Sequence, residues 1–291
     1  MIIISNLHIR IFKESQNAID LFYGDMTIKK GDFLYVSGDN GSGKSTLYNA
    51  LTDRIHKIEG GTIRYLNISP LKQKDVFSFN DEESAELRRN ISYLESEPWF
   101  RHNSTFYEAL KDPAYFALKY QYLSDKKNFK NRKKELKKEF KNNRARIDEK
   151  IEYYFDNYLS SFFNIDSFSS FKREQIEHNL EEETSKGQRR FLSFFAHVIK
   201  TEIMNVSLFI LDEPFTHLDN SNIKLVVDIL KSLRKQNPSM VIMLTAHGNY
   251  HTFAHLITKK LTLEKGSKTL GQAKYVAKFK EVTDHEKNIV N

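Results

Sequence analysis

Residues 38–46 combine the residue types and the spacing that bind the phosphates of a nucleotide. The segment reads Gly38-Asp39-Asn40-Gly41-Ser42-Gly43-Lys44-Ser45-Thr46 and fits the pattern Gly-x-x-x-x-Gly-Lys-[Ser/Thr]. Its glycines allow successive backbone N–H groups to point at phosphate oxygens. Lys44 would reach the β- and γ-phosphates, and the Ser45 hydroxyl would bind Mg²⁺. The loop therefore predicts a nucleotide site that also takes a magnesium ion.

The segments on either side should position this loop. Residues 33–37 form a short apolar run, which is typical of a buried strand. Behind the loop, apolar residues recur at helical spacing, at Leu47, Leu51, Ile55 and Ile58. We expect Gly60-Gly61 to end this helix with a left-handed cap. A helix that starts at the loop directs the positive end of its dipole at the bound phosphate.

The acidic pair Asp212-Glu213 is the second group suited to chemistry. It follows the apolar run 206–211, and ligands of open α/β sheets bind beyond the carboxyl ends of the strands. One carboxylate would hold Mg²⁺ through water, and the next could polarise the water that attacks a γ-phosphate. The alternative is that the pair only caps the helix that follows it.

Three histidines recur every four residues, at His247, His251 and His255. A helix would place them on one face, as a metal site could. No carboxylate lies within one or two turns, so a metal site is the less favoured interpretation.

The pattern around these groups predicts an α/β protein. Residues 1–37 read as short strands joined by polar turns, which suggests a small antiparallel sheet. The apolar runs 206–211 and 240–245 alternate with helical segments, which argues for a parallel sheet covered on both faces. From about 105 to 180 the pattern is helical, with a turn expected at 167–170. Over 261–291 we expect a strand and then a polar helix or frayed tail.

The amino-acid composition excludes several further classes of protein. The chain has no cysteine, which excludes disulfides, thiolate metal sites and a cysteine nucleophile. Its apolar runs fall far short of the roughly 18 residues that span a bilayer, and its first residues do not resemble a signal peptide. The net charge is +7, but residues 126–150 alone carry +8, so the remainder is close to neutral.

The order of the motifs resembles that of the ATP-binding cassette (ABC) ATPases. After the phosphate loop, Thr184-Ser185-Lys186-Gly187-Gln188 stands where that family has its Leu-Ser-Gly-Gly-Gln signature. The Asp212-Glu213 pair follows, then His217-Leu218-Asp219, which matches the family's D-loop. Thr245-Ala246-His247 matches its switch histidine, and Phe12 stands where the family stacks an aromatic ring on adenine. The resemblance covers nearly the whole chain except about 111–165.

The resemblance implies a RecA-like P-loop NTPase core with an antiparallel β subdomain and an inserted, enlarged α-helical subdomain. The core would comprise 1–95 and 190–270, and the helical subdomain 97–188, with a basic insertion near 120–160 and a tail at 271–291. It also implies an ATPase with ATP and Mg²⁺ as cofactors. Such a subunit works in the cytoplasm as a peripheral protein on the inner face of the membrane.

Two copies, identical or different, would pair head to tail and drive a separate membrane permease. Ser185, Gly187 and Gln188 would contact the γ-phosphate held by the other copy. Glu213 would position the attacking water, His247 would contact the γ-phosphate, and Asp219 would couple the two sites. The alternative function is that of an ABC-type mechanical switch acting on nucleic acid, ribosomes or a protein scaffold, or of a subunit that binds ATP without hydrolysing it.

This chain departs from the family pattern at two places. Thr184 and Lys186 replace a leucine and a glycine of the signature, while the phosphate-facing Ser185, Gly187 and Gln188 are kept. Ser96 stands where the family has the glutamine that touches Mg²⁺ and relays nucleotide state to the partner. The second departure concerns turnover and coupling rather than ATP binding.

The basic segment 126–150 has three open interpretations. Its apolar residues continue a stripe at steps of seven, four or three, through Phe129, Leu136, Phe140, Ile147, Ile151, Tyr154 and Tyr158. One interpretation is a solvated helical arm that packs through this stripe. The others are a surface for anionic lipid headgroups and a nucleic-acid contact. Trp99-Phe100 reads as subdomain core or as a contact for the membrane partner.

Overall fold

A computed structural model describes most of the chain, in two compact units. The described residues are 1–11, 19–55, 58–68, 71, 73–98, 100–101, 104–128, 130–174, 185–248, 250–265 and 273–282. The first unit consists of residues 1–91, 207–213 and 224–291, and the second of residues 92–206 and 214–223.

The first unit is built on a mixed sheet. Its strands are β1 (Ile2–Ile11), β2 (Ile19–Ile28), β3 (Phe33–Gly38), β4 (Gly60–Tyr65), β6 (Leu208–Asp212), β7 (Val241–Thr245), β8 (Lys259–Lys265) and β9 (Ala273–Glu281). They lie in the order β4-β1-β2-β9-β8-β3-β7-β6. Strand β5 (Ile91–Leu94) starts at the last residue of this unit and continues into the second. The helices of the first unit are α1 (Lys44–Leu51), α2 (Asp81–Arg89), most of α8 (Asn220–Gln236) and α9 (Tyr250–Phe253).

The parallel strands β8, β3, β7 and β6 form the centre of this sheet. Every residue of β6 and β7 is buried, as expected for strands covered on both faces. The register pairs Val36 and Asp212 with Thr245 on either side of β7. Because these strands run parallel, their carboxyl ends meet at one edge, and the phosphate loop, the acidic pair and the segment before His247 begin there.

The predicted antiparallel sheet is confirmed, with strands longer than expected. Strands β1 and β2 have ten residues each and pair antiparallel, and β4 pairs antiparallel with β1. The predicted helix behind the loop is shorter than expected, since α1 ends at Leu51. The predicted glycine cap is wrong: Gly60-Gly61 open β4, where a Cβ on Gly61 would lie 2.5 Å from the Asn6 carbonyl oxygen. Gly61 (φ +91°) is therefore needed for close strand packing.

The chain end was also predicted wrongly in part. Residues 273–281 form strand β9, which pairs antiparallel with β8 and parallel with β2. The sequence predicts a polar helix or frayed tail here, although the lysines of 273–281 alternate with apolar residues as they do in a strand with one exposed face. Two partner strands stabilise it through backbone hydrogen bonds, which composition does not reveal.

The second unit is helical. It contains α3 (Phe106–Asn128), α4 (Lys133–Tyr154), α5 (Ser160–Phe163), α6 (Phe168–Phe171), α7 (Ser185–Met204) and the first turn of α8. The apolar stripe on α4 packs inward, with Leu136, Ile147, Ile151 and Tyr154 buried. A π-helical turn (Phe155–Leu159) then changes the phase of the stripe, and the turn predicted at 167–170 is largely helix α6. None of the described helices has both the length and the apolarity that crossing a bilayer demands.

Candidate nucleotide site

The phosphate loop joins β3 to α1, and two of its glycines have no substitute. At Gly43 (φ +98°) an added Cβ would lie 2.8 Å from both methyl groups of Leu21 and 3.0 Å from the Tyr23 hydroxyl oxygen. At Gly38 (φ +147°) it would lie 2.7 Å from the Ser42 hydroxyl oxygen. Both positions combine a left-handed backbone with close neighbours, so a side chain would displace the loop.

The loop and the start of α1 offer donors to an anion. Gly43 is the N-cap of α1 and supplies no side chain, and the first turn contains no acidic residue. The backbone N–H groups of that turn therefore lack capping acceptors. The buried hydroxyl of Ser42 also has no hydrogen-bond partner within the described part of the chain. A phosphate oxygen would satisfy these donors, so the residues fit the predicted ligand.

Lys44 is held over the loop by its own backbone. Its Nζ donates to the carbonyl oxygens of Gly38 at 2.8 Å and Asp39 at 2.9 Å. Burial lowers the pKa of Lys44 from its ordinary value, and the negative charges of Glu213, Asp212 and Asp39 oppose this shift. The side chain is thus partly desolvated and aimed along the loop, where an anionic ligand would stabilise its charge.

Asp212 is the centre of a hydrogen-bonded cluster at the end of β6. The Ser45 hydroxyl donates to one carboxylate oxygen at 2.6 Å, and the Thr245 hydroxyl donates to the other, also at 2.6 Å. The Asp212 side chain is 1% exposed, so these two donors supply the solvation that water would otherwise provide. Ser45 and Asp212 are adjacent oxygen ligands of the hard type that Mg²⁺ prefers, and they fit the expected ion.

Glu213 has a strained backbone that Thr245 stabilises. Its φ is +56°, a left-handed conformation that costs a residue with a Cβ about 1–2 kcal/mol. The Glu213 N–H donates to the Thr245 hydroxyl oxygen at 2.9 Å, and one Glu213 carboxylate oxygen lies 2.9 Å from His247 Nε2. The structure therefore brings Glu213 and His247 into direct contact, and Thr245 binds both members of the acidic pair.

A cleft of about 400 Å³ opens between these groups. It is lined by Ile11, residues 40–46, Glu213 and His247, and its volume lies within the usual range for small-molecule sites. Within it, Asn40 and Gly41 are exposed, and Thr46 is half-buried. Ile11 was not predicted as a lining residue. It precedes Phe12, which lies outside the described residues.

The remaining predicted site residues belong to the second unit. Ser96 is exposed, and its carbonyl oxygen and that of Glu95 accept hydrogen bonds from the guanidinium of Arg190 on α7. Arg190 is 3% exposed. The segment that carries the departure from the family pattern is thus tied through its backbone to the helix that starts at Ser185.

The signature segment leads into α7, and the D-loop supports it. Thr184 and the side chain of Ser185 lie outside the described residues, while Lys186 is exposed and Gln188 half-buried. A Cβ on Gly187 would lie 2.4 Å from the His217 carbonyl oxygen, so the first turn of α7 packs directly on that backbone. Glycine is required there by contact rather than by an unusual φ.

Asp219 acts as the N-cap of α8. Its carboxylate accepts from the Asn222 N–H at 2.8 Å, the Ser221 hydroxyl at 2.7 Å and the Asn222 side-chain amide at 3.0 Å. These donors, the Asn222 N–H foremost, hold the pKa of Asp219 below its ordinary value. Asp219 therefore has a structural role as a helix cap, and its coupling role stays a prediction.

Sequence reasoning missed three supporting residues. The sequence predicts no role for Thr245 beyond its place before the switch histidine, and it predicts none for Tyr23 or Arg190. The Tyr23 hydroxyl is buried and donates to the Gly43 carbonyl oxygen at 2.8 Å. Arg190 left a detectable signal, since it stands four residues before Phe194 on the apolar face of α7.

The histidine row does not form a metal centre in the part of the chain that the structure covers. His247 contacts Glu213, His251 is exposed on α9, and His255 follows that helix. The described residues include no group of three histidines, aspartates or glutamates placed to hold a metal ion.

Comparisons with known proteins agree with the motifs. The profile of the family described as ABC transporter matches residues 23–216, about two thirds of the chain. The lipoprotein-releasing system ATP-binding protein LolD of Alcanivorax borkumensis is 32% identical over 107 residues, which are 36% of this chain and 43% of that protein. The match thus spans less than half of that relative. LolD of Buchnera aphidicola is 24% identical over 240 residues, 82% of this chain and 84% of that protein.

Solved structures show the same fold. The dimeric post-hydrolysis structure of the ATP-binding cassette MJ0796, bound to ADP and Pi, superposes with a TM-score of 0.63. The superposition covers 97% of this chain and 98% of that one at 17% identity. This likeness concerns the fold, and it confirms the predicted P-loop architecture.

Proposed function

The chain belongs to the ABC transporter family and is an ATPase of that family, and we propose that it is the ATP-driven subunit of a membrane transporter whose membrane-spanning part is a separate protein. The observation that carries the proposal is the cluster Ser45–Asp212–Thr245–Glu213–His247 beside the phosphate loop. The relatives described as LolD are, by name, ATP-binding proteins of lipoprotein-releasing systems.

The proposed chemistry assigns one task to each residue. The loop N–H groups and Lys44 bind the phosphates of ATP, and Ser45 and Asp212 hold Mg²⁺, which would neutralise charge on the phosphate oxygens. Glu213 positions the water that attacks the γ-phosphate. His247, 2.9 Å from Glu213, orients that carboxylate and contacts the γ-phosphate. Replacing Asp212 with a residue that has no carboxylate would remove the hydrogen-bond acceptor of the Ser45 hydroxyl.

In the proposed cycle, ATP joins two copies of this chain, or this chain and a related one. The exposed Lys186 and the half-buried Gln188 start α7, where a second molecule can reach the helix N-terminus. The subunit then works at the inner face of the cell membrane, bound to its permease. Ser96 and Asp219 would transmit the nucleotide state.

Two variants test the ATPase site. Lys44→Ala should abolish binding of a fluorescent ATP analogue, because it removes the buried cation of the loop. Glu213→Gln should keep ATP binding, slow hydrolysis at least about 100-fold and trap a dimer in size-exclusion chromatography with light scattering. A Glu213→Gln protein that hydrolyses ATP at the wild-type rate would place the water-positioning group elsewhere.

Purification from native membranes tests the partner. The proposal expects a protein with several membrane spans to co-purify in stoichiometric amount and to stimulate the ATPase. Co-purification of ribosomes or nucleic acid, with no membrane protein, would instead support the alternative function of a mechanical switch.

A further inference from the structure

Helices α3 and α4 form an antiparallel pair, here called the hairpin (residues 106–154), and the last turns of α4 are held by buried contacts. Near the end of α4, Ile147, Ile151 and Tyr154 are buried. Lys150 and Tyr154 also bind Glu202 of α7, at 3.0 and 3.1 Å. These contacts fix the C-terminal half of α4. The N-terminal half buries Leu136 but exposes most of its other side chains, and we call it the free half.

The free half of α4 presents a concentrated positive charge. Residues 132–146 contain eight cations, all of them exposed, namely Arg132, Lys133, Lys134, Lys137, Lys138, Lys141, Arg144 and Arg146. The stretch has only two acids, Glu135 and Glu139, and both pair with Arg132. The five lysines make no ion pair with any residue that the structure describes. The cations extend over about 22 Å of helix.

This charge is specific to the hairpin. The chain has a net charge of +7 and residues 126–150 carry +8, so the rest of the protein is nearly neutral. Like charges close together on one helix repel one another, and evenly distributed cations would suffice for solubility. The concentration on one element therefore indicates an anionic partner.

The hairpin also exposes apolar side chains that favour a lipid surface. On α3, Phe116, Tyr120 and Leu123 are 40%, 61% and 50% exposed. They follow helical spacing and form one stripe. Peripheral helices that bind membranes combine such aromatic and aliphatic residues with lysines, and each basic residue near an anionic leaflet adds about fivefold to the affinity. The cationic stretch itself offers no exposed aromatic ring for base stacking.

We propose that the hairpin binds the anionic headgroups of a lipid bilayer. This contact would hold the subunit against the membrane and restrict its orientation there, independently of the permease. The inference rests on the proposed function, because only a subunit that works at a membrane meets this surface. The hairpin would thus contact lipid directly, in addition to the permease contact, and the nucleotide site takes no part in this binding.

Flotation with protein-free vesicles tests the proposal on the 291-residue chain without ATP. Wild-type protein should float with vesicles containing about 30% anionic lipid at 0.1 M salt. It should not float with neutral phosphatidylcholine vesicles, or at 0.5 M salt, where screening shortens the range of the attraction. Equal binding to neutral vesicles would overturn the proposal, as would the absence of binding to anionic ones.

A matched pair of triple variants locates the surface. Lys133→Gln, Lys137→Gln and Lys141→Gln together should lower vesicle affinity roughly 100-fold. The control combines Lys30→Gln, Lys224→Gln and Lys235→Gln, three exposed lysines of the first unit. It removes the same charge and should bind as wild type. Equal losses in the two proteins would mean that net charge alone drives binding, which contradicts a hairpin site.

Two further measurements test the apolar contact and distinguish lipid from nucleic acid as the partner. Tyr120→Ser with Leu123→Ser should weaken binding without changing its salt dependence, because these side chains contribute apolar contact. Binding to single- or double-stranded nucleic acid that is tighter than binding to anionic vesicles would refute the lipid assignment. ATPase activity, measured in parallel, should stay at the wild-type level in all these variants. A loss of vesicle binding with intact ATPase thus tests this inference separately from the proposed function.

Discussion

Replacing Thr245 with valine isolates one hydroxyl at the centre of the candidate site. Valine has nearly the same shape, so the buried packing at the end of β7 should be kept. The hydroxyl donates to Asp212 at 2.6 Å and accepts from the Glu213 N–H at 2.9 Å. Thr245 is fully buried, and no water can replace either bond without rearrangement.

The two bonds set the expected magnitude. A hydrogen bond to a charged group contributes about 1.5–3 kcal/mol, and one between neutral groups about 0.5–1.5 kcal/mol. We therefore expect Thr245→Val to lower the free energy of unfolding by about 2–4 kcal/mol. If half of that loss appears as misplacement of the two carboxylates in the transition state, kcat falls roughly 5- to 30-fold.

The assay compares three proteins by steady-state ATP hydrolysis, by binding of a fluorescent ATP analogue and by chemical unfolding. ATP affinity should change little, because Lys44 and the loop are untouched, while kcat falls and the Mg²⁺ concentration for half-maximal rate rises. Thr245→Ser keeps the hydroxyl and should restore kcat. A folded Thr245→Val protein with wild-type kcat, or a serine variant as slow as the valine one, would refute this reasoning.

Three further changes test other contacts. Tyr23→Phe removes the hydroxyl that supports the phosphate loop and should weaken ATP binding about fivefold; Tyr65→Phe, at the far end of α1, should cost stability but not ATP affinity. Asp219→Ala should destabilise the protein by about 1 kcal/mol in urea unfolding, whereas asparagine preserves the cap. The Asn222 N–H holds the pKa of Asp219 below 3.8, so the charged cap stabilises the folded protein fully above about pH 4. The difference in the free energy of unfolding between wild type and the alanine variant should therefore shrink only as the pH falls below that value. Ser96→Gln should alter the ATPase rate or its stimulation by the membrane partner. ATP affinity should not change, since the backbone carbonyl of residue 96 still accepts its hydrogen bond from Arg190. If neither the basal nor the stimulated ATPase rate changes, this position has no coupling role.

Local sequence patterns predicted an element correctly where the residues that stabilise it lie within a few positions of one another. The phosphate loop needs its own glycines, lysine and serine, and the buried strands β6 and β7 need only continuous apolar runs. Local patterns failed where the partner is distant in sequence. Gly60-Gly61 resembles a helix end until β1 is seen against it, and residues 273–281 resemble a tail until β2 and β8 pair with them.

The sequence by itself determined the family and the fold class, and it identified the candidate chemical groups, because residue types at fixed spacing are typical of phosphate binding. Only the tertiary structure decided how these groups act together. It pairs Asp212 with Thr245 across two parallel strands and ties the carbonyl oxygen of Ser96 to α7 through Arg190. The physical reason is that a hydrogen bond depends on distance in space, and chain folding brings together residues that lie 33 and 94 positions apart.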